Sequence, residues 1–495
     1  MEQPINDISS ILQDLTSVMQ SMRKNIDDQH QQICRLTRTT QAQAQEIHSL
    51  KKKVKERDNT IDDLQNRLSK YEEPPKNSNN SSTPPSKEKL KDELVRRTQS
   101  LRKKSDKPVG GQKGHKGTTR TMVDNPDEAI EESADYCTSC GHDLSDSPKE
   151  LDYISQVVSI PPLRAVVKEI RRYMRRCSRC GHQTRAYGPR RRGGNSVTYD
   201  QSVQALVVFL NVVQCIPCQR LQSILEVVFG IEMSQGTIAN ILQSAKAKAG
   251  PAIEMIKDSI SGSGVVGFDE SGCYCDKRLD WSWIAQTDLC TLVFRANNRA
   301  GKVLEDMFGD TLKNITAVTD RHSAYFSLDF ADHQICLAHI LREVQYLTEL
   351  DGNQQWSVEL QNLLQEAIHT RNENPAEVIN KAPWLSRLDR LLKQSVEHLK
   401  DEFRRLKKGL IKCRDYVFKF LENPSIPSHN NGSERGIRKL KIKQKVSGTF
   451  RSDQGADAFM ALHSITDTAW KKKQSPLDAM LAILNAETGE YVFAE

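Results

Sequence analysis

The sequence predicts a multidomain chain: an N-terminal coiled coil, a zinc-ribbon-like β domain, a helical region and an α/β core. Three observations predict it. Residues 5–71 keep a heptad repeat. Two Cys-x-x-Cys-Gly-His motifs recur, at Cys137 and at Cys177. Beyond residue 260, short β-patterned runs ending in Asp are followed by helical patterns, with a lone acid, Glu434, heading a cationic helix.

The core positions of the heptad are Ile5, Ile8, Leu12, Leu15, Met19, Met22, Ile26, Gln29, Ile33, Leu36, Thr40, Gln43, Ile47, Leu50, Val54, Arg57, Ile61, Leu64, Leu68 and Tyr71. Sixteen of these twenty are apolar, a run long enough to specify a coiled coil. One helix cannot bury such a stripe, so the expected state is a homodimer or higher. Gln29, Thr40, Gln43 and Arg57 weaken the seam and help set its register. Residues 72–86 are rich in Pro, Asn and Ser and read as linker. A short charged helix over about 87–105 follows. The stretch Gly110–Gly117 (GGQKGHKG) has glycines that let backbone approach a phosphate, but no GKS or GKT closes it as a P-loop.

The chain has 495 residues, formal net charge +7 and twelve Cys. Cys137-Thr-Ser-Cys140 and Cys177-Ser-Arg-Cys180 are each followed by Gly and His. In such knuckles Gly makes the tight turn that points amides at thiolates, and four thiolates complete a Zn²⁺ shell. His142 and His182 are competing ligands, though four Cys already suffice. Tyr153–Ile160 and Arg164–Tyr173 are expected to form a β-hairpin between the pairs. From Ile160 to Arg192 there are eleven Lys or Arg and one acid, Glu169. That density, including Arg171, Arg172, Arg175, Arg190 and Arg191, reads as a surface for a DNA backbone.

Residues 200–260 are helical in pattern. Gln219–Phe229, Gly230 and Ser234–Ala247 have a helix–turn–helix layout. Cys215-Ile-Pro-Cys218 has metal-like spacing but lies in an apolar segment with no partner pair nearby, and reads as structural.

Gly264–Asp269, Trp281–Gln286, Leu292–Arg295, Asn314–Asp320 and Gln334–Leu337 read as strands, with a helix over Asn298–Met307 and another from His339. Three strands, a helix, then two strands is the order of an RNase H-like core. There, carboxylates at the ends of neighbouring strands converge with one from a later helix, and the set holds two Mg²⁺ (or Mn²⁺) ions. Asp269, Asp320 and Glu434 fit these positions. Glu270 is the rival of Asp269, but alternation along a strand turns it to the other face. His333, Cys336 and His339 carry metal-ligand atoms, but read as core packing between strand and helix, with metal binding the alternative. Trp281 and Trp283 alternate on one strand face and read as core, with stacking on nucleic-acid bases the alternative.

Glu434 precedes seven Lys or Arg between Arg435 and Arg451. On a helix, Arg438, Lys441 and Lys445 share its face, while Ile437, Leu440 and Gln444 form a neighbouring stripe. A carboxylate for a metal, flanked by cations for phosphates, is what metal-dependent phosphodiester cleavage needs.

These residues resemble the IS66-type insertion-sequence transposases of bacteria, members of the DDE class. The resemblance runs from the coiled coil and the linker at 80–86, through Gly110–Gly117 and the Cys pairs, to Phe268-Asp269-Glu270-Ser271-Gly272 and Thr319-Asp320-Arg321-His322-Ser323-Ala324-Tyr325. It continues through Cys336-Leu-Ala-His339-Ile-Leu-Arg342. Its most specific block holds Asn430-Asn431, Glu434-Arg435, Arg438, Lys445, Gly448 and Phe450-Arg451-Ser452. Ser271 stands where Thr is frequent, and Gly432-Ser433 and Gly436-Ile437 where members vary.

The resemblance implies a DDE triad at Asp269, Asp320 and Glu434, with Lys441 at a spacing several DDE families share. It also implies an all-α insertion at 352–427. The expected division is 1–72 coiled coil, 73–120 basic linker, 121–192 zinc-binding DNA-binding domain and 193–261 helical domain. Residues 262–351 with 428–452 form the catalytic core, and 453–495 the C-terminal helices. The implied activity is binding of terminal inverted repeats, cleavage at the ends and joining of the 3′-OH to target DNA, with Mg²⁺ and Zn²⁺ as cofactors and small accessory proteins as further partners. A catalytically silent DNA-binding regulator and an RNase H-like structure-specific nuclease are the alternatives. The polar N-terminus and the lack of an apolar run of membrane-spanning length predict a cytoplasmic protein.

Overall fold

A computed structural model describes residues 4–68, 76, 80, 81, 114, 121–186, 197–351 and 355–486. The charged helix expected over about 87–105 lies outside them. The chain divides into two compact units, Met1–Pro75 and Lys76–Glu495. No helix among the described residues is long and apolar enough to cross a membrane.

The described part of the first unit is one uninterrupted helix, α1 (Pro4–Leu68). Its heptad side chains from Leu12 to Ile61 stand in solvent, Met19 at 60% exposure and Ile33 at 60%. A helix with such a stripe is incomplete on its own.

In the second unit, residues 121–186 contain two strands, β1 (Met174–Arg176) and β2 (Gln183–Arg185), paired antiparallel around the second Cys pair. The hairpin expected over Tyr153–Ile160 and Arg164–Tyr173 is not formed. Those segments alternate as strands do, but their apolar residues are bare, Val157 at 92% and Val167 at 93% exposure. Strand propensity has no effect without a surface to pack on.

Five helical segments follow: α2 (Gln201–Val208), a π-turn over Phe209–Val213, α3 (Cys218–Phe229), α4 (Gln235–Lys248) and α5 (Gly250–Ser261). Local chemistry sets their ends. The Asp200 carboxylate accepts from the amides of Ser202 and Val203 at 3.1 and 3.3 Å, and Ser234 Oγ accepts from Thr237 N at 3.1 Å. Gly230 closes α3 in the left-handed region at φ 66°. Cys215 is buried in the core, as its apolar setting predicted.

The core sheet runs β5-β4-β3-β6-β7: β3 (Val265–Cys275), β4 (Arg278–Gln286), β5 (Thr291–Ala296), β6 (Thr316–Thr319) and β7 (Asp332–Ile335). β3, β4 and β5 are antiparallel, while β6 and β7 join β3 in parallel. β3 does not end at Asp269 as expected. It continues six residues to Cys275, because the reversal into β4 is made by Asp276 and Lys277, both at positive φ (45° and 63°). That geometry suits a two-residue hairpin, and neither residue is the glycine that marks one in a sequence. Helix α6 (Lys302–Phe308) begins later than expected because Asn298 first makes a turn, its Oδ1 accepting from Ala300 N at 2.9 Å.

After β7 come α7 (Leu337–Leu350), α8 (Gln355–Glu373), α9 (Ala382–Lys393), α10 (Asp401–Lys412) and the short α11 (Lys419–Glu422). They share a core with Val318 and Ile335 of the sheet. The chain then returns as α12 (Asn431–Ser447), α13 (Asp453–Lys471) and α14 (Pro476–Asn485). α13 covers the open edge of β5: Val293 N donates to Ser464 Oγ at 2.8 Å and Thr291 N to Thr468 Oγ1 at 3.0 Å. Side-chain hydroxyls thus satisfy the edge amides that a further strand would pair.

Candidate active site

Backbone register brings the first two carboxylates level. Gly267 of β3 pairs with Val318 of β6, so two residues further on Asp269 comes level with Asp320. Alternation decides the faces. Phe268 and Glu270 point into the interior, at 0% and 7% exposure, and Asp269 takes the other face together with Gly267. A Cβ on Gly267 would lie 2.5 Å from Asn430 Oδ1 and 2.8 Å from Ser433 Oγ. The face carrying Asp269 is therefore the one against which the start of α12 is packed, and Glu434 lies in the first turn of that helix.

Small residues and one amide make this approach possible. A Cβ on Gly436 would overlap Ile284 Cδ1, and one on Gly432 would overlap Gln286 Nε2. Asn430 Nδ2 donates to the Phe268 carbonyl at 2.6 Å, and Asn430 Oδ1 accepts from Ser433 Oγ at 2.7 Å. The Asn430 amide donates to Cys336 Sγ at 3.1 Å, and Leu337 N donates to Ser428 O at 2.9 Å. These contacts fix α12 against β3 and against the start of α7.

The electrostatics are those of crowded acids. Burial, then the charges of Glu270 and Asp320, hold the Asp269 carboxyl well above the usual carboxylate range; Glu434 adds to the effect, and the Glu270 amide opposes it. That amide donates to Asp269 Oδ1 at 2.9 Å. Asp320 Oδ1 accepts from His322 N at 2.8 Å. Glu434 Oε1 accepts from Arg342 Nη2 at 2.8 Å and lies 3.6 Å from His339 Nε2. Cys336, His339 and Glu434 bring one ligand atom each within 4.8 Å of one another. Glu270 has its own partners: it accepts from Tyr325 Oη, and Arg299 Nε donates to it at 2.5 Å. Burial and the Glu270 charge push the Tyr325 phenol well above its usual range, so it stays a donor. His333 serves packing, with its Nε2 2.7 Å from Thr319 Oγ1, and Trp283 is fully buried.

The cations of α12 divide. Arg435, Arg438 and Lys445 are exposed, as is Arg451 beyond the helix. Lys441 is half-buried and donates to the Gly272 carbonyl at 2.5 Å, tying the helix to β3. Lys443, which the helical wheel left aside, is buried and donates to Asn211 O and Oδ1, both at 3.2 Å. Arg171, Arg172 and Arg175 are exposed, and Arg171 pairs with Glu169. Arg190 and Arg191 lie outside the described residues, as does nearly all of Gly110–Gly117.

The two Cys pairs form the same turn. Cys137 N donates to His142 O and Cys177 N to His182 O, both at 2.8 Å, and Gly141 and Gly181 both take φ 73°. Hydrogen bonding, chiefly from the backbone at Cys140 and Cys180, draws the Cys137 and Cys177 thiols below their ordinary value. Amides that stabilise thiolates suit a metal ligand. Among the described residues, no group of three or more ligand atoms within 4.8 Å includes these cysteines. Each knuckle is preformed as a two-thiolate donor, and the two are not brought together.

Sequence reasoning missed Arg342 as the partner of Glu434, Asn430 as the link to Phe268, and the glycines at the helix–sheet contact. Arg342 and Asn430 lay inside motifs already noted, whereas the need for small residues at 432 and 436 depends on what stands opposite them.

Residues 196–458 match the transposase IS66 family, residues 134–181 the zinc-finger binding domain of transposase IS66, and residues 19–121 a family of unknown function. No curated protein matches the chain. The first match spans more than half of the sequence, and the chain belongs to the IS66 transposase family.

Proposed function

We propose that this transposase cleaves DNA at the ends of its element and joins the freed 3′-OH to target DNA, with Asp269, Asp320 and Glu434 as its catalytic carboxylates. The sheet order β5-β4-β3-β6-β7, with α12 returning after a run of helices, supports an RNase H-like core with an all-α insertion. The observation that carries the reading is the β3–β6 register, which brings Asp269 level with Asp320 on the face against which α12 packs. The donor set fits divalent cations: buried Asp269, crowded by Asp320 and Glu434, has its carboxyl raised well above the usual range, the mark of a position short of positive charge. Two Mg²⁺ or Mn²⁺ ions bound by these three residues supply Lewis acidity and charge neutralisation to the phosphodiester.

The chain's own groups do the rest. Arg435, Arg438, Lys445 and Arg451 face solvent and meet backbone phosphates. Lys441, held to Gly272, keeps α12 in register with β3. Hydrolysis breaks the phosphodiester at the element's end and leaves a 3′-OH. That hydroxyl then attacks a target phosphodiester, one bond forming as another breaks, with no covalent bond to the protein.

Cys137, Cys140, Cys177 and Cys180 would together hold one Zn²⁺, the ion drawing the two preformed knuckles to each other. The exposed Arg171, Arg172 and Arg175 grip the DNA backbone, and Arg190 and Arg191 are assigned the same role. The stripe on α1 pairs with a second copy.

The test uses a duplex carrying the element's terminal inverted repeat. Asp269→Asn, Asp320→Asn and Glu434→Gln should each abolish Mg²⁺-dependent nicking while leaving end binding intact. Nicking that survives Asp269→Asn overturns the assignment. Binding without nicking by the wild type favours a silent regulator, and cutting of branched DNA without inverted repeats favours a structure-specific nuclease.

A further inference from the structure

Of the three carboxylates, Glu434 alone has an ion-pair partner among the described residues. Arg342 Nη2 donates to Glu434 Oε1 at 2.8 Å. Asp269 and Asp320 instead accept from backbone amides, at 2.9 and 2.8 Å. Arg342 comes from α7 and Glu434 from α12, and their side chains are 19% and 23% exposed. The pair is sheltered enough for charge to matter, yet open on one side.

A guanidinium and a divalent ion compete for the same carboxylate oxygen. With Arg342 hydrogen-bonded to Oε1, an ion bound by Glu434 would have a like charge a few ångströms away. The guanidinium has another partner when DNA arrives, since phosphate oxygens match its planar fork as well as carboxylates do. Its neighbour Arg321 is held separately, with Nη2 on the Glu343 carboxylate at the adjoining position of α7. Among the described residues, Arg342 is thus the arginine paired with one of the three acids.

We propose that Arg342 is a positioning residue that changes partner: it holds Glu434 in the DNA-free protein and turns to a backbone phosphate when DNA enters with the divalent ions. The proposal rests on reading Asp269, Asp320 and Glu434 as the ion-binding set. Arg342 then couples two binding events. It weakens ion binding while DNA is absent, and DNA relieves that penalty. Linkage makes the coupling reciprocal, so ions strengthen DNA binding by the same factor.

The experiment measures Mn²⁺ binding to the full-length protein by electron paramagnetic resonance, alone and with a pre-cleaved inverted-repeat duplex, so that no turnover occurs. Arg342→Gln should bind Mn²⁺ at least about fivefold more tightly than the wild type without DNA. The tightening of Mn²⁺ that the duplex produces in the wild type should shrink by the same factor. Arg342→Lys, which keeps the charge, should resemble the wild type without DNA; Arg342→Met replaces Arg342→Gln should the latter fold poorly. Unchanged or weaker Mn²⁺ binding by the charge-removing variant means that Arg342 merely props Glu434, and overturns the proposal. Unchanged Mn²⁺ binding by Glu434→Gln instead overturns the ion-binding set itself.

Discussion

Asn430 reaches from the residue before α12 to the backbone of β3, its amide donating to the Phe268 carbonyl at 2.6 Å. Phe268 immediately precedes Asp269, and Glu434 follows Asn430 by one helical turn. One buried side chain therefore sets the distance between a strand carboxylate and a helix carboxylate. Asn430→Ala should leave that carbonyl unsatisfied and cost about 1–3 kcal/mol. Nicking should fall by more than the loss of stability explains, with DNA affinity nearly unchanged. Urea denaturation beside end-nicking and mobility-shift assays checks this, and a variant that nicks normally removes Asn430 from the alignment of the site.

Gly436 offers a cleaner test of the same packing. A Cβ there would overlap Ile284 Cδ1, the tip of a side chain that can be shortened. Gly436→Ala should destabilise the protein by about 1–3 kcal/mol through overpacking. Adding Ile284→Val removes the clashing methyl and should restore most of the loss. Additive losses in a double-mutant cycle would show that the two positions do not meet.

The cysteine knuckles predict a zinc content of one ion per chain, lost in Cys137→Ser and in Cys180→Ser alike. Elemental analysis of the purified variants measures it. DNA binding should fall with the zinc, while the α/β core keeps its melting transition. Zinc retained after either substitution would mean that the two pairs do not share an ion.

The heptad of α1 specifies an orientation. β-branched residues dominate one core position (Ile26, Ile33, Thr40, Ile47, Val54, Ile61) and Leu recurs at the other (Leu15, Leu36, Leu50), the combination that favours a parallel dimer. In a parallel, in-register pair Glu46 faces Lys51 of the second copy, and Lys53 faces its Asp58. A photo-crosslinker placed at Leu50 should therefore yield a dimer joined near position 50 of both chains. Crosslinks to the N-terminal third of the partner would show an antiparallel arrangement.

The pH dependence of folding should carry a signature of His463. Burial, reinforced by the charge of Lys439, lowers its pKa to about 4, and its Nε2 lies 3.2 Å from Gly436 O. The unfolded value is about 6.5. A base whose folded pKa is depressed supports the fold fully above the unfolded value and loses that support as pH falls toward the folded one. Stability should drop by roughly 2–3 kcal/mol between about pH 6.5 and 4 on this account. His463→Gln should flatten that portion of the profile in chemical denaturation series; an unchanged profile assigns the loss to other groups.

The sequence by itself determined the periodic and the local features: the 3.5-residue stripe of α1, the Gly-closed cysteine turns, and the strand identity of the core segments. Each depends on neighbours a few residues apart, so residue type and spacing suffice. It also singled out Asp269, Asp320 and Glu434, and alternation separated Asp269 from Glu270. Tertiary structure decided what depends on distant partners. It extended β3 to Cys275 by a turn without glycine and left Val157 and Val167 bare where a hairpin was expected. It assigned Lys441 to the Gly272 carbonyl, although on a helical wheel it shares the face of Glu434, and it assigned Lys443 to Asn211. It also placed Arg342 on Glu434. A side chain's hydrogen-bond partner is fixed by whichever element packs against it, and that information lies in the contact between elements, ninety residues or more from the residue concerned.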